Sequence, residues 1–191
     1  MAVILCIVLA FIFVLDSFVL QPKDSDPCSQ KNLIDGEKNG LLTHCCKLVT
    51  SKVMGGQVWR VATSMFLHAG IPHILLNCIA LWNMGCILER LIDGNMLLLL
   101  FLLSGVFSAV SMMALTKIED GLGASTAIFG LIGVWLVLLL TNGNAVLEQM
   151  NLLNWAYLIF YAVAGNLIDP ISRLEHLTGT IGGILFALLL L

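Results

Sequence analysis

Residues 96–116 read MLLLLFLLSGVFSAVSMMALT and contain no charged side chain. A helix rises about 1.5 Å per residue, so about 20 apolar residues cross the roughly 30 Å hydrocarbon layer of a bilayer. Across the 191-residue chain, 59% of residues are hydrophobic and only 11% are charged. A soluble domain carries about a quarter charged residues. The sequence therefore predicts a protein whose surface faces mostly lipid.

Apolar runs of similar length recur along the chain, and mostly short polar links separate them. They predict six membrane-spanning helices, at residues 2–20, 71–88, 96–116, 123–141, 147–167 and 174–191. The fold class is therefore all-α, a polytopic membrane helix bundle that forms a single domain over residues 1–191. The first run is also compatible with a signal peptide, but no basic residue precedes it, which favours a retained helix.

The long polar segment, residues 21–58, contains three of the six cysteines. If this segment faces an oxidising lumen, Cys28 can pair with Cys45 or Cys46. The chain has no CxxC pair, which argues against a metal site. The net charge of −3 and the lack of a basic cluster argue against a nucleic-acid partner.

Polar side chains inside membrane helices are costly, so each one suggests a function. Short links make successive helices antiparallel neighbours, and helices two, four and six then begin on the same side of the membrane. His73 and Asn77 lie four residues apart on one face near the start of helix two. Ser125 and His176 lie near the starts of helices four and six. We therefore expect these four side chains to meet at one shallow depth.

This set of residue types suits acyl transfer. A serine hydroxyl becomes a good nucleophile when a base takes its proton, and histidine is the usual base, so Ser125 and His176 form a candidate pair. His73, the Asn77 amide and the Ser125 backbone N–H can stabilise an oxyanion. Taken singly, these residues have plainer interpretations, since membrane serines often bond to their own helix or to a neighbour. His68 is expected to be structural or solvent-facing.

Glycines lie close in sequence to both Ser125 and His176. His176 precedes Gly179 and Gly183 in an H-x-x-G-x-x-x-G pattern. Small residues four apart let two membrane helices approach closely, as a Ser–His hydrogen bond of about 3 Å requires. Gly123, just before Ser125, allows the serine to lie at a helix N-terminus, where N–H groups are free.

Four ordered motifs resemble the rhomboid family of intramembrane serine proteases, its plant members in particular. They are QVWRVATSMFLHAGIPHILLN at 57–77, GCILER at 85–90, GASTAIFG at 123–130 and HLTGTIGG at 176–183. The resemblance implies that Ser125 is the nucleophile and His176 the general base of a dyad. It implies that His73 and Asn77 support the oxyanion, that substrates are transmembrane proteins, and that no cofactor or metal is needed.

The resemblance also implies roles outside the dyad. Phe129 would stack against His176 and, together with Gly123, Gly179, Gly183 and His68, would support the site. Trp59, Arg60 and Glu89 would be structural. Residues 21–58 would form a lumenal loop lying partly in the membrane beside the bundle, with the catalytic helices two to six in 59–191. The site would face the lumen or exterior, in a secretory-pathway or plasma membrane. The oligomeric state stays open.

The sequence departs from the family pattern at several positions. Thr126 replaces a glycine, Glu175 an alanine, and Leu177-Thr178 a more typical pair. The last residue lies about 15 positions past His176, which gives about 22 Å of helix and falls short of a 30 Å core. Plant and animal relatives often carry a further C-terminal helix and a basic N-terminal tail. The sequence shows neither, so we expect a truncated or divergent gene product.

Two other functions are compatible with the sequence. The departures at Thr126 and Glu175, together with the short sixth helix, favour an inactive rhomboid-like protein that binds or escorts membrane clients. A channel or transporter would usually show broken helices in two repeated halves, and no such repeat occurs.

The orientation implied by the family conflicts with the positive-inside rule, because it places eight of the nine Lys and Arg residues outside.

Overall fold

The computed structural model describes residues 1–20, 40–116, 118, 121–167 and 170–191, without the side chains of residues 170 and 171. The helices within these ranges are α1 (Ala2–Val14), α2 (Leu41–Cys46), α3 (Thr50–Met54), α4 (Arg60–Thr63), α5 (Ile71–Leu91), α6 (Gly94–Leu115), α7 (Ser125–Thr141), α8 (Gly143–Gln149), α9 (Leu152–Gly165) and α10 (Pro170–Leu190). A π-helical turn, Leu15–Val19, extends α1, and a 3-10 turn, Ser64–Phe66, follows α4.

Six of these helices are apolar enough to lie in a membrane. In the described ranges, four are also long enough to cross it, namely Ala2–Val19, Ile71–Leu91, Gly94–Leu115 and Ser172–Leu190, and two are shorter, Ser125–Thr141 and Leu152–Gly165. This confirms the all-α, six-helix membrane bundle. Helix α7 is central, because side chains on all its faces are buried, Leu131 and Val134 fully.

The fifth membrane helix starts later than the sequence predicts. The predicted single span 147–167 is wrong, because the chain forms the short α8, breaks at Met150 and starts again as α9. Asn151 caps the new helix: its side chain accepts the Asn154 N–H, and the Asn154 side chain accepts the Asn151 N–H, both at 2.9 Å. This reciprocal cap satisfies two donors that the break leaves open.

The sixth helix starts earlier than the sequence predicts. Pro170 is the first residue of α10, four positions before the predicted start at residue 174. Proline is well tolerated at a first helical position, where its missing N–H would have no partner in any case. The 21 residues of α10 give about 31 Å of helix. The predicted shortfall in length is therefore wrong, because the helix extends on the N-terminal side of His176.

The first membrane helix is tied to the start of α2 by Asp16, a buried carboxylate in the π-helical turn. Its oxygens accept the Leu42 N–H at 2.7 Å, the Thr43 N–H and the Thr43 hydroxyl. These backbone donors belong to a helix N-terminus and have no acceptor within their own helix. The suggested pairing of Cys28 lies outside the described residues.

Trp59 and Arg60 form hydrogen bonds to the segment of residues 45–57 that precedes them. The buried Arg60 guanidinium donates to Gln57 Oε1 at 2.7 Å and to the Lys47 carbonyl at 2.8 Å. The Trp59 indole N–H donates to the Cys45 carbonyl at 3.2 Å. The same segment pairs with the approach to α7: the Leu48 N–H donates to the Gly121 carbonyl at 2.7 Å, and the Gly121 N–H returns the bond at 3.0 Å.

Candidate active site

The start of α7 is set by Gly123, whose φ of +125° is a conformation that favours glycine. Its N–H donates to the Ser64 carbonyl at 3.0 Å. A Cβ at Gly123 would lie 2.8 Å from His73 Cε1 and 3.8 Å from Ser125 Oγ, so the histidine and the serine hydroxyl border the same glycine. Ser125 is the first residue of α7, where a helical N–H has no acceptor within the helix.

Helices α7 and α10 pack backbone against backbone. A Cβ at Gly179 would overlap the Thr126 carbonyl oxygen, and a Cβ at Gly183 would overlap the Gly130 carbonyl oxygen. This is the close approach that the glycine spacing indicates. It places His176, three residues before Gly179, beside the first turn of α7.

The His176 imidazole is held between aromatic and glycine surfaces. Its ring stacks on the Phe129 ring with centroids 4.0 Å apart and planes 8° apart, the contact that the family resemblance implies. A Cβ at Gly165 would lie 3.1 Å from the Phe129 ring and 3.3 Å from His176 Cε1. Helix α9 therefore closes over the two rings, and His176 is only 4% exposed.

Tyr161 of α9 is a residue that the sequence interpretation missed. Its hydroxyl donates to Asn77 Oδ1 at 2.8 Å, and both side chains are buried. Its ring stacks on Phe129 at 5.3 Å. A hydroxyl within an apolar span usually finds a hydrogen-bond partner, so that signal was present in the sequence. The buried Asn77 Nδ2 has no hydrogen-bond partner in the part of the chain that the structure describes.

A cavity of about 530 Å³ lies between α5, α7, α9 and α10. Its lining includes the four side chains that the sequence singled out, His73, Asn77, Ser125 and His176. Its volume is typical of small-molecule and active sites. The arrangement places a hydroxyl, an imidazole and an amide donor around one space, as acyl transfer requires.

Two of the departures from the family pattern, Glu175 and Thr126, lie at or beside this site. Glu175 lines the cavity and also borders a second, much smaller one of about 20 Å³, together with Thr126 and Ser108. Glu89 lies away from both cavities, where its carboxylate pairs with the N-terminal ammonium of Met1. Among the described residues, no group of three or more His, Cys, Asp or Glu is placed to hold a metal ion.

His68 lies behind the cavity rather than in it. Its ring meets the His73 ring edge-on with centroids 5.0 Å apart, and it is only 6% exposed. Burial, with a smaller contribution from the neighbouring His73, lowers the pKa of His68 to about 3. The imidazole is therefore neutral at physiological pH, and its burial shows that the solvent-facing alternative was wrong.

Protonation of His68 is expected to destabilise the fold in acid. The unfolded chain binds a proton near the ordinary histidine pKa of about 6.5, whereas the folded chain binds it only near pH 3. Stability should therefore fall as the pH drops through this window, by up to about 1.4 kcal/mol per pH unit. Thermal unfolding in detergent at pH 7 and pH 5 measures the slope. His68→Phe should flatten it, and an unchanged slope would contradict this assignment.

Comparison with known proteins agrees with the membrane fold. Residues 55–191 match the Rhomboid domain family. The chain is 31% identical over 133 residues to Rhomboid protease GluP of Bacillus subtilis, covering 70% of this chain and 26% of that protein. It is 30% identical over 178 residues to RHOMBOID-like protein 1 of Arabidopsis thaliana, covering 93% and 44%. The chain belongs to the rhomboid family, and it spans less than half the length of these two relatives.

Proposed function

We propose that this protein is an intramembrane serine endopeptidase that cleaves membrane-anchored proteins. The observation that carries the proposal is that Ser125, His176, His73 and Asn77 line one cavity within a bundle of apolar helices. Two relatives support it by name, Rhomboid protease GluP and Rhomboid-like protease 3 of Toxoplasma gondii, the latter 30% identical over 136 residues.

The chemistry follows from the roles of these side chains. His176 takes the hydroxyl proton as Ser125 Oγ attacks the scissile carbonyl carbon, and a tetrahedral oxyanion forms. The Ser125 N–H, the unpaired Asn77 Nδ2 and the His73 ring are the candidate donors to that oxyanion. His176 then gives the proton to the leaving amine. Water, deprotonated by His176, hydrolyses the acyl-enzyme and regenerates the serine.

The proposed substrates are proteins with a transmembrane helix. A peptide bond in a helix is inaccessible until the helix unwinds locally, so substrates with glycine or proline near the cleavage point are favoured. Ser125 and His176 lie near the N-terminal ends of α7 and α10. We place this side toward the lumen or exterior, in a secretory-pathway or plasma membrane, and cleavage near that face.

A fluorophosphonate probe tests the proposal, because it reacts only with an activated serine. The purified wild-type protein should be labelled, and peptide mapping should place the adduct on Ser125. Ser125→Ala should abolish labelling, and His176→Ala should reduce it strongly, since the hydroxyl then lacks its base. Labelling that persists in Ser125→Ala would refute the assignment of the nucleophile.

A second candidate function is an inactive rhomboid-like protein that binds or escorts membrane clients. The observation that favours it is Glu175, a carboxyl residue lining the cavity immediately beside the base. Absence of labelling in a folded wild-type protein that still captures a single-span client would support this function over catalysis. Recovery of labelling in Glu175→Ala would then identify Glu175 as the cause.

A further inference from the structure

We propose that Tyr161 is a positioning residue for the reaction. Its hydroxyl orients the oxyanion donor Asn77, and its ring supports the base His176 through the Phe129 ring. This inference rests on the proposed protease function. Tyr161 is 5% exposed and lines the same cavity as Ser125, and it reaches Asn77 through its hydroxyl and the Phe129–His176 stack through its ring.

The hydroxyl holds the acceptor end of the Asn77 amide. An asparagine side chain has an acceptor end and a donor end of nearly the same shape. Because the Tyr161 hydroxyl donates to Oδ1 at 2.8 Å, the Nδ2 end is left pointing elsewhere, and it has no partner among the described residues. A buried unpaired donor costs about 1–3 kcal/mol. An oxyanion in the cavity would supply the missing acceptor.

The ring completes a column of three aromatic side chains. Tyr161 stacks on Phe129 with planes 30° apart, and Phe129 stacks on His176 with planes 8° apart. Leu158 and Tyr161 are the two buried side chains of α9. The same residue therefore connects α9 to α5 by a hydrogen bond and to α7 and α10 by stacking.

Tyr157, one turn earlier on α9, is a matched control. Its hydroxyl also donates to α5, to the Leu76 carbonyl at 3.3 Å, but this bond is exposed and involves no cavity donor. Replacing either tyrosine with phenylalanine removes one hydroxyl and one bond between the same two helices. Of the two changes, only Tyr161→Phe removes a hydrogen bond to Asn77.

The experiment compares cleavage of a single-span substrate in liposomes by wild type, Tyr161→Phe and Tyr157→Phe. Tyr161→Phe should lower kcat by roughly 10-fold with KM unchanged, because the Asn77 interaction is made in the transition state. Tyr157→Phe should stay within about twofold of wild type. A double-mutant cycle separates positioning from general loosening: in an Asn77→Ala background, Tyr161→Phe should cost less than about twofold, since the residue it orients is gone.

Each outcome bears on a defined claim. Equal effects of the two tyrosine variants, or a full Tyr161→Phe effect in the Asn77→Ala background, would overturn the positioning role while leaving the Ser125 assignment intact. Cleavage that survives Ser125→Ala, or no cleavage by wild type, would overturn the proposed function and this inference together. Thermal unfolding of both variants provides the folding control.

Discussion

Replacing Ser125 with alanine is expected to lower kcat for a single-span substrate by on the order of 10⁴-fold or more. The change removes the nucleophile but keeps the cavity, the imidazole and the oxyanion donors in place. His176→Ala should have a similar effect, because a serine without its base is a weak nucleophile. The double variant should be no worse than either single one, since residues that act as a unit show non-additive losses.

Ser104 offers the matched control for this experiment. It is a fully buried serine in α6 whose hydroxyl donates to the Leu100 carbonyl of its own helix at 2.7 Å. That back-bond is the common structural use of serine in membrane helices. Ser104→Ala should leave kcat within about threefold of wild type. Similar large losses in the Ser104 and Ser125 variants would mean that Ser125, too, acts through structure.

A single methyl group at Gly183 is expected to disrupt the bundle. Its Cβ would overlap the Gly130 carbonyl oxygen, which is backbone and cannot move aside by changing rotamer. Overpacking typically costs about 1–3 kcal/mol, and a backbone obstacle places Gly183→Ala at the upper end or beyond. Displacement of α10 would also carry His176 away from Ser125. We therefore expect a lower unfolding temperature in detergent and at least about 10-fold lower kcat.

Gly143 provides the corresponding control, because the same methyl group there meets nothing within 4 Å. Gly143→Ala at the start of α8 should be neutral or slightly stabilising, since alanine is the better helix former. Equal unfolding temperatures for the two variants would show that the α7–α10 contact tolerates the added volume. Loss of activity without loss of stability in Gly183→Ala would show that the effect is on the site geometry alone.

Much of the fold could be predicted because lipid imposes a simple length and polarity requirement on each span. The existence of the six apolar helices followed from the length and spacing of the apolar runs. Their ends did not, since they depend on local chemistry. The start of α9 is set by the side-chain cap at Asn151, and α10 begins at Pro170 rather than at the predicted residue 174.

Part of the candidate site could be predicted because polar residue types suited to catalysis occur at positions that helix packing brings together. His73, Asn77, Ser125 and His176 are polar residues in apolar runs, and antiparallel helices bring them to one cavity. Tyr161 was missed because aromatic residues are common in membrane helices, and its partner lies 84 positions away. Such a pair becomes visible only when α5 and α9 are placed side by side.

The glycine contact between α7 and α10 has a mechanical consequence. At Gly179 and Gly183 the backbones of α7 and α10 are in direct contact, with no side chain between them that could change rotamer. These two helices should therefore move as one rigid body. Helix α9, which closes the cavity beside them, exposes much of its surface, including Leu153 at 77% and Val163 at 54%. Widening of the cavity would then be a hinge motion of α9 that leaves the distance between Ser125 and His176 unchanged.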